Sequence, residues 1–186
     1  MRRTLIIAAG LTCGLTIWGW DDLAGLISGG CGLFHRDVVR SATDAAAGTI
    51  SFEPQGTTIA ALITAAPASG WPWAGRIAPV ETTVWRLRAR VTAITGPLDD
   101  GDYHLRLVDD AGHRMIAESV APKCATGSPF LPQISELRAK VSAAIPLNTP
   151  LTFTGIGFLD NDHDIIGAAA NGVELHPLLG ISVSAR

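Results

Sequence analysis

Three arginines at alternate positions and a histidine–arginine pair are the residues best placed to do chemistry in this sequence. Arg86, Arg88 and Arg90 occupy every second position, so in a β-strand all three project from one face about 7 Å apart. His104 and Arg106 repeat this spacing further along the chain. Because adjacent strands bring such residues side by side, the set predicts a cationic surface that an anion or nearby carboxylates must neutralise.

Glu174 and His176 form a second pair, since they are also two positions apart and share one face of a strand. A histidine beside a carboxylate can act as a general base, a metal ligand or a structural partner. The polar–apolar alternation places Glu174, His176 and His104 at outward positions in contact with solvent. No serine, cysteine or third ligand is fixed by spacing, so the pattern favours a structural pair and predicts neither a cofactor nor a metal ion.

Two interpretations of the arginine face stay open. Glu81 and Glu118 could pair with the arginines as ordinary solvated surface, or an anionic ligand could bind them. In either case a positive environment disfavours the charged form of His104. We therefore expect a His104 pKa below the ordinary value of about 6.5, unless Glu118 or Glu174 reaches it.

The strands that position these residues begin at Glu81, where apolar residues start to alternate with the arginines. A turn-forming segment, "GPLDDGD", separates the first strand from the second, and "DDAG" separates the second from "HRMIAE". The apolar side of the strands predicts the core: Trp85, Leu87, Val91, Tyr103, Leu105, Leu107, Met115, Phe153, Val173 and Leu175.

A helix is predicted after the third strand, because the spacing of the apolar residues changes there from two to three or four residues. Ser128 is expected to cap it and Pro129 to begin it, with Phe130, Ile134, Leu137 and Val141 on the buried side. Two more strands start at Leu151 and Gly172, and Pro177 is expected to end the last strand or to place it at an edge.

This order predicts a mainly β fold, a five-stranded OB-like Greek-key barrel with one helix between strands three and four. An irregular arm rich in Gly, Ala and Pro precedes the barrel and contains Trp71 and Trp73, which are expected to pack it onto the domain. Within the arm, "TISF" suggests a strand and Thr57–Ile63 a short capped helix. The alternative architecture is an open meander sheet with a helix packed across it.

The sequence therefore predicts a division of the chain into three regions. Residues 1–30 are an export signal or membrane anchor, residues 31–80 are the arm, and residues 81–186 are the barrel. Arg2 and Arg3 precede an apolar run that ends at Trp20, the layout of a signal peptide, although an uncleaved anchor is compatible with its length. Cleavage after Gly30 would leave Cys31 either bonded to Cys124 in an oxidising compartment or lipidated.

The loop "DNDHDIIG" begins like a calcium loop, with aspartates at alternate positions. The sixth and twelfth positions hold Ile165 and Asn171, where glycine and glutamate are required. The pattern therefore favours an exposed polar loop over a calcium site.

Several phrases together make the chain resemble an uncharacterised family of small exported bacterial domains. The phrases are "ETTVWRLRA", "DGDYHLRLVDDAGHRMIAE", "PKC", "SPF", "TGIGF" and "NGVELHPLL". The resemblance covers residues 39–181 and implies one cooperative domain, but it implies no activity. The stretch "LDNDHDIIGAAANG" departs from the family's form, so no site is carried over to His163.

The charge balance of 14 basic and 17 acidic residues gives no overall attraction to nucleic acid. The two loops with which an OB barrel contacts ligands, here "GPLDDGD" and the loop that contains "DNDHDIIG", are both acidic. We expect a non-catalytic binding or interaction module of the cell envelope, with an anionic ligand or an envelope protein as partner. Membrane contact is expected only through the N-terminal segment. The expected contacts are Arg86, Arg88, Arg90, His104, Arg106, Glu174 and His176.

The alternative function is a metal-assisted hydrolase of the nuclease-like OB type, with His104 or His176 as the base. It requires the carboxylates of Asp100 or Asp102 and of Glu118 to meet the histidines in one cleft.

Overall fold

A computed structural model describes residues 30–31, 35–65, 75–160 and 166–183. The elements in chain order are α1 (His35–Arg40), β1 (Gln55–Gly56), α2 (Ile59–Ala65), β2 (Val84–Thr95), β3 (Tyr103–Val108), β4 (Arg114–Ser119), α3 (Leu131–Ala143), β5 (Pro150–Leu159) and β6 (Val173–Val183). Predictions about the leader, about Trp71 and Trp73, and about residues 161–165 lie outside the described residues.

The strands close into a barrel because β2 pairs with both β3 and β5. Around the barrel the order is β2, β3, β4, β6, β5 and back to β2. The β4–β6 pairing is parallel and all other barrel pairings are antiparallel. With α3 between the third and fourth barrel strands, this confirms the OB-like barrel, and the open-sheet alternative is wrong.

The period-two pattern predicts the interior of the barrel well. Eight of the ten expected core residues are buried: Leu87, Val91, Leu105, Leu107, Met115, Phe153, Val173 and Leu175. Trp85 and Tyr103 are only partly buried and pack against this core. The arm adds Ile59 and Leu62 from the short helix α2, whose Thr58 hydroxyl accepts a hydrogen bond from the Ala61 N–H.

A second apolar cluster lies between the outside of the barrel and the arm. Ala42, Ala47 and Ile50 of the arm pack there with Val84 and other residues of the barrel and α3. The described part of the arm is therefore more ordered than its composition predicts, and "TISF" is not a strand, because Thr49 ends a 3-10 helix. Its apolar side chains are sparse, so they give no periodic signal in the sequence.

Two boundaries differ from the prediction for local reasons. Helix α3 begins at Leu131, and Ser128 accepts a hydrogen bond from the N–H of Phe130 instead of capping the helix. Strand β6 continues through Pro177 to Val183. The β5–β6 register shifts around Gly155, where a Cβ would lie 2.9 Å from the Pro177 carbonyl oxygen, so glycine lets the bent strands stay paired.

A disulfide joins Cys31 to Cys124, with their Cα atoms 5.1 Å apart. It connects the start of the arm to a 3-10 helix, Pro122–Ala125, that follows β4. The Cys31 sulfur is thus bonded to Cys124 and is not available for lipid attachment. Among the described helices, none has the length and apolar character needed to cross a membrane.

Candidate functional site

A cluster of acidic and histidine side chains lies on the outer face of β3, β4 and β6. We call it the acid–histidine cluster: Asp102, His104, Glu118, Glu174 and His176. The antiparallel β3–β4 register places His104 directly opposite Glu118, and the parallel β4–β6 pairing brings the start of β6 beside Glu118. Asp102 joins the cluster from the last position before β3.

Four of these five residues are buried, which contradicts the prediction that Glu174 and His176 face solvent. His176 is 1 % exposed and Glu118 3 %, and His104 is half-buried. The alternation assigned them correctly to the outer face of the sheet. It gave no sign that another part of the chain covers that face.

Helix α1 provides much of this cover through two arginines four residues apart. Arg36 stacks on Phe158 at 4.4 Å, and the Phe158 ring in turn meets His176 edge-on at 5.6 Å. Arg40 pairs with Asp100, and its guanidinium lies 3.6 Å from Asp102. The arm therefore contributes positive charge to an acidic part of the barrel face.

Glu81 holds α1 in place and is fully buried. It pairs with Arg36 and accepts hydrogen bonds from the N–H groups of Ile77 and Leu159, at 2.7 and 3.0 Å. Arg36 also donates to the carbonyl of Leu159 at 2.9 Å. The interpretation in which Glu81 pairs with the β2 arginines is wrong, because Glu81 pairs with Arg36 of the arm.

Glu118 connects the two histidines. Its Oε1 lies 2.9 Å from Nε2 of His104, and its Oε2 lies 3.3 Å from Nδ1 of His176. Nδ1 of His176 is also 3.1 Å from Oε1 of Glu174. Nε2 of His176 lies 3.5 Å from Oδ2 of Asp102 and has no hydrogen-bond partner in the part of the chain that the structure describes.

The loop before β3 fixes the orientation of Asp102. Its Oδ1 accepts a hydrogen bond of 2.7 Å from the N–H of Ala121, while its own N–H donates to Asp100 at 2.9 Å. Oδ2 is left to face Arg40 and His176. One carboxylate oxygen therefore has a structural partner and the other points into the cluster.

The charges within the cluster shift the pKa values strongly. Burial alone lowers the pKa of His176, but the negative charge of Glu118, together with Asp102 and Glu174, raises it to about 10. Burial alone raises the pKa of Asp102 and of Glu118, yet both are lowered, chiefly by His176. These groups are therefore held as carboxylates around a cation.

The pKa values of Glu174 and His104 are both raised, for different reasons. Burial raises the pKa of Glu174 to about 8, and the charge of Glu118 adds to this effect. Burial lowers the pKa of His104, but the hydrogen bond and charge of Glu118 outweigh it and raise the pKa above its ordinary value. The sequence analysis predicted a low pKa for His104 unless Glu118 or Glu174 reached it, and Glu118 does reach it.

The expected cationic surface is divided among separate places on the barrel. Arg86 and Arg88 are exposed and line a groove of about 530 Å³ with Gly56, Thr57, Leu87, Thr152, Ser182 and Val183. We call this the Arg86–Arg88 groove. Arg90 instead pairs with Asp110 at 2.6 Å. The interpretation in which Glu118 pairs with these arginines is wrong, since Glu118 faces the histidines.

The strand pairing separates His104 and Arg106 from Arg86 and Arg88. Strand β3 pairs with β2 only from Arg90 onward, whereas Arg86 and Arg88 lie opposite Thr154 and Thr152 of β5. The β2–β3 register shifts between Val91 and Ala93, so Arg106 pairs with Ala93 and His104 with Thr95. Arg106 lines a second groove of about 440 Å³, which also contains Arg114 and Ile166. The single cationic stripe of the sequence analysis is therefore wrong.

Three members of the cluster have the arrangement of metal ligands. Asp102, Glu118 and His176 each offer one ligand atom, and these atoms all lie within 4.8 Å of one another. Sequence reasoning brought these three residues together only in its alternative function, and it missed Arg40. The spacing of Arg36 and Arg40 on a short helix, "HRDVVR", is the available signal, but it does not reveal the face on which the helix packs.

No protein-family model and no curated protein sequence matches the chain. Among solved structures it is similar to OBody AM2EP06 bound to hen egg-white lysozyme, with 13 % identity and a TM-score of 0.39 over 55 % of this chain and 81 % of that one. OBody AM3L09 bound to hen egg-white lysozyme gives 14 % identity and a TM-score of 0.38 over 56 % and 83 %.

Proposed function

We propose that the protein is an exported binding module of the cell envelope that takes an anionic ligand in the Arg86–Arg88 groove. The observation that carries this proposal is the exposure of both arginines without a carboxylate partner among the described residues. Two guanidinium groups on alternate positions of one strand repel each other at a separation of about 7 Å. A ligand with phosphate, sulfate or carboxylate groups removes that repulsion.

The chemistry of the groove fits such a ligand. Arginine binds planar or tetrahedral oxyanions through paired N–H donors, which gives both affinity and orientation. Hydroxyl-bearing residues Thr57, Thr152 and Ser182 lie in the groove walls. Arg90, on the same strand, has Asp110 as its partner, so the chain neutralises one arginine of β2 internally and leaves two for a ligand.

Export is supported by two features of the chain. The first twenty residues have the basic and then apolar layout of a signal peptide. The disulfide between Cys31 and Cys124 is of a kind that persists in oxidising compartments outside the cytoplasm. Fractionation of the producing cells, with mass spectrometry of the N-terminus, tests this part of the proposal. An intact Met1 in the cytoplasmic fraction would contradict it.

The binding experiment is calorimetric titration of the full chain with pyrophosphate, a probe with two anionic groups. We expect the double variant Arg86→Gln/Arg88→Gln to bind about tenfold more weakly or worse, because charge-assisted hydrogen bonds to the anion are lost. Arg114→Gln is the matched control, since it removes an exposed charge from the second groove. Equal losses in the control and the double variant would contradict the assignment.

A metal-assisted hydrolase is the second candidate, and one observation favours it. Asp102, Glu118, His104 and His176 converge as that function requires. Their burial under α1 opposes it, since a substrate would have to displace Arg40. Zinc-dependent hydrolysis of bis(p-nitrophenyl) phosphate that is abolished by His104→Gln would support this candidate over the binding module.

A further inference from the structure

We propose that Asp102, Glu118 and His176 form a binding site for one divalent transition-metal ion, with Zn²⁺ as its representative. The three ligand atoms lie within 4.8 Å of one another, and all three residues are buried. They come from the loop before β3, from β4 and from β6, which the closed barrel holds in fixed positions. The site lies apart from the Arg86–Arg88 groove, so the inference does not depend on the proposed function.

The second observation is the unpartnered nitrogen of a buried imidazole. His176 is 1 % exposed, and its Nε2 has no hydrogen-bond partner among the described residues although it faces Oδ2 of Asp102 at 3.5 Å. Leaving a buried polar atom without a partner is costly. A metal ion bound to Nε2 and Oδ2 would satisfy both atoms at once.

The surroundings have the form of an outer ligand shell. Oε1 of Glu174 is hydrogen-bonded to Nδ1 of His176 at 3.1 Å. This bond fixes the orientation of the ring, so that Nε2 points to Asp102. Nε2 of His104 similarly pairs with Oε1 of Glu118 at 2.9 Å, so that the other oxygen, Oε2, is directed into the cluster. Metal-binding histidines and carboxylates are oriented by partners of this kind.

The charge of the cluster also favours a divalent cation. A metal ion on Nε2 would replace the proton that His176 holds in the metal-free protein. Even with Glu174 protonated, the carboxylates of Asp100, Asp102 and Glu118 then outnumber the guanidinium of Arg40 by two. Burial makes such an excess unfavourable, and one divalent ion balances it. Arg40 lies 3.6 Å from Oδ2 of Asp102, so it competes with the metal for the same oxygen.

The donor set selects the class of metal. One imidazole nitrogen and two carboxylate oxygens suit Zn²⁺ and similar first-row ions, whereas Mg²⁺ and Ca²⁺ prefer oxygen ligands alone. His104 and Arg40 are the half-buried residues beside the three fully covered ligands.

The test is calorimetric titration of the metal-free full chain with ZnCl₂, with MgCl₂ as the comparison ion. We expect one Zn²⁺ site in the wild type, at least about tenfold weaker binding in Asp102→Asn and His176→Gln, and much weaker binding of Mg²⁺. Asn at position 102 keeps an acceptor for the Ala121 N–H. Arg40→Gln should bind Zn²⁺ more tightly, because it removes the competing charge.

Asp109 and His113 provide the matched control. They form an aspartate–histidine pair at 2.9 Å on the β3–β4 turn, with His113 exposed, at the opposite end of this hairpin from His104 and Glu118. Asp109→Asn and His113→Gln should leave Zn²⁺ binding unchanged. A loss in these variants equal to that in His176→Gln would mean that Zn²⁺ binds surface histidines, and it would overturn the proposal.

Wild-type protein keeps the proposal testable if a cluster variant does not fold. The zinc X-ray absorption spectrum should show oxygen and nitrogen neighbours at about 2.0 to 2.2 Å, with a single imidazole and no sulfur. A spectrum with two or more imidazoles would overturn the assignment. So would a folded wild type that takes up no Zn²⁺.

Discussion

His104 and Glu118 face each other across the antiparallel β3–β4 pair, with Nε2 of the histidine 2.9 Å from Oε1 of the glutamate. Both residues lie on the outer face of β3 and β4, which are the second and third strands of the barrel. OB folds usually contact ligands with this face. In this protein, part of that face is covered by α1, whose Arg40 reaches the same cluster. The exposed arginines lie elsewhere, on β2.

The His104 pair predicts a measurable titration. Glu118 raises the pKa of His104 above the ordinary value, against the opposing effect of burial. Its contribution to stability is therefore complete below the unfolded pKa of about 6.5 and is lost as the pH rises through the folded pKa. An NMR titration of the imidazole in metal-free protein should show the raised pKa in the wild type and a lower one in Glu118→Gln. A wild-type pKa below 6.5 would contradict the pairing.

Replacing Leu105 with alanine tests the register of β3. Leu105 is 0 % exposed in the barrel core, so Leu105→Ala should lower the free energy of unfolding by about 2 to 5 kcal/mol. Leu147→Ala makes the same change at a residue that is 49 % exposed and should have little effect. Urea unfolding measures both. A loss under about 0.5 kcal/mol at position 105 would mean that the register is displaced by one residue.

The docking of α1 depends on the Arg36–Glu81 pair. Arg36→Ala leaves the fully buried Glu81 carboxylate without its cation, so the free energy of unfolding should fall by about 3 kcal/mol. Lys140→Ala breaks the exposed Lys140–Glu136 pair and should change stability little. Chemical denaturation of both variants makes the comparison. Equal effects would show that the buried pair does not hold the arm.

Reduction of the disulfide should loosen the cover over the cluster. Cys31 and Cys124 are 93 residues apart, so their bond removes much chain entropy from the unfolded state, and its loss should cost about 2 to 5 kcal/mol. Thermal unfolding with and without dithiothreitol measures the loss. The double variant Cys31→Ala/Cys124→Ala should start at the lower stability and show no response to the reductant. A response in that variant would point to another cysteine.

Much of the fold could be predicted because its signal is local. Alternation along each strand identifies which side chains share a face, and the change of period after Ser128 identifies α3. Leu105, Leu107 and Phe153 are buried as the pattern predicts. The register between β2 and β3 had no such signal, so the sequence could not show that Arg106 and His104 pair with the end of β2, away from Arg86 and Arg88.

The sequence by itself determined that Glu118, Glu174 and His176 lie on the outer side of the sheet. Only the tertiary structure decided that this side is buried, because α1 brings Arg36 and Arg40 onto it from far away in the chain. Alternation reports the side of a strand and contains no information about what covers that side. Whether an outward acid meets water or a guanidinium depends on non-local packing, and that difference turns a set of surface residues into a buried cluster.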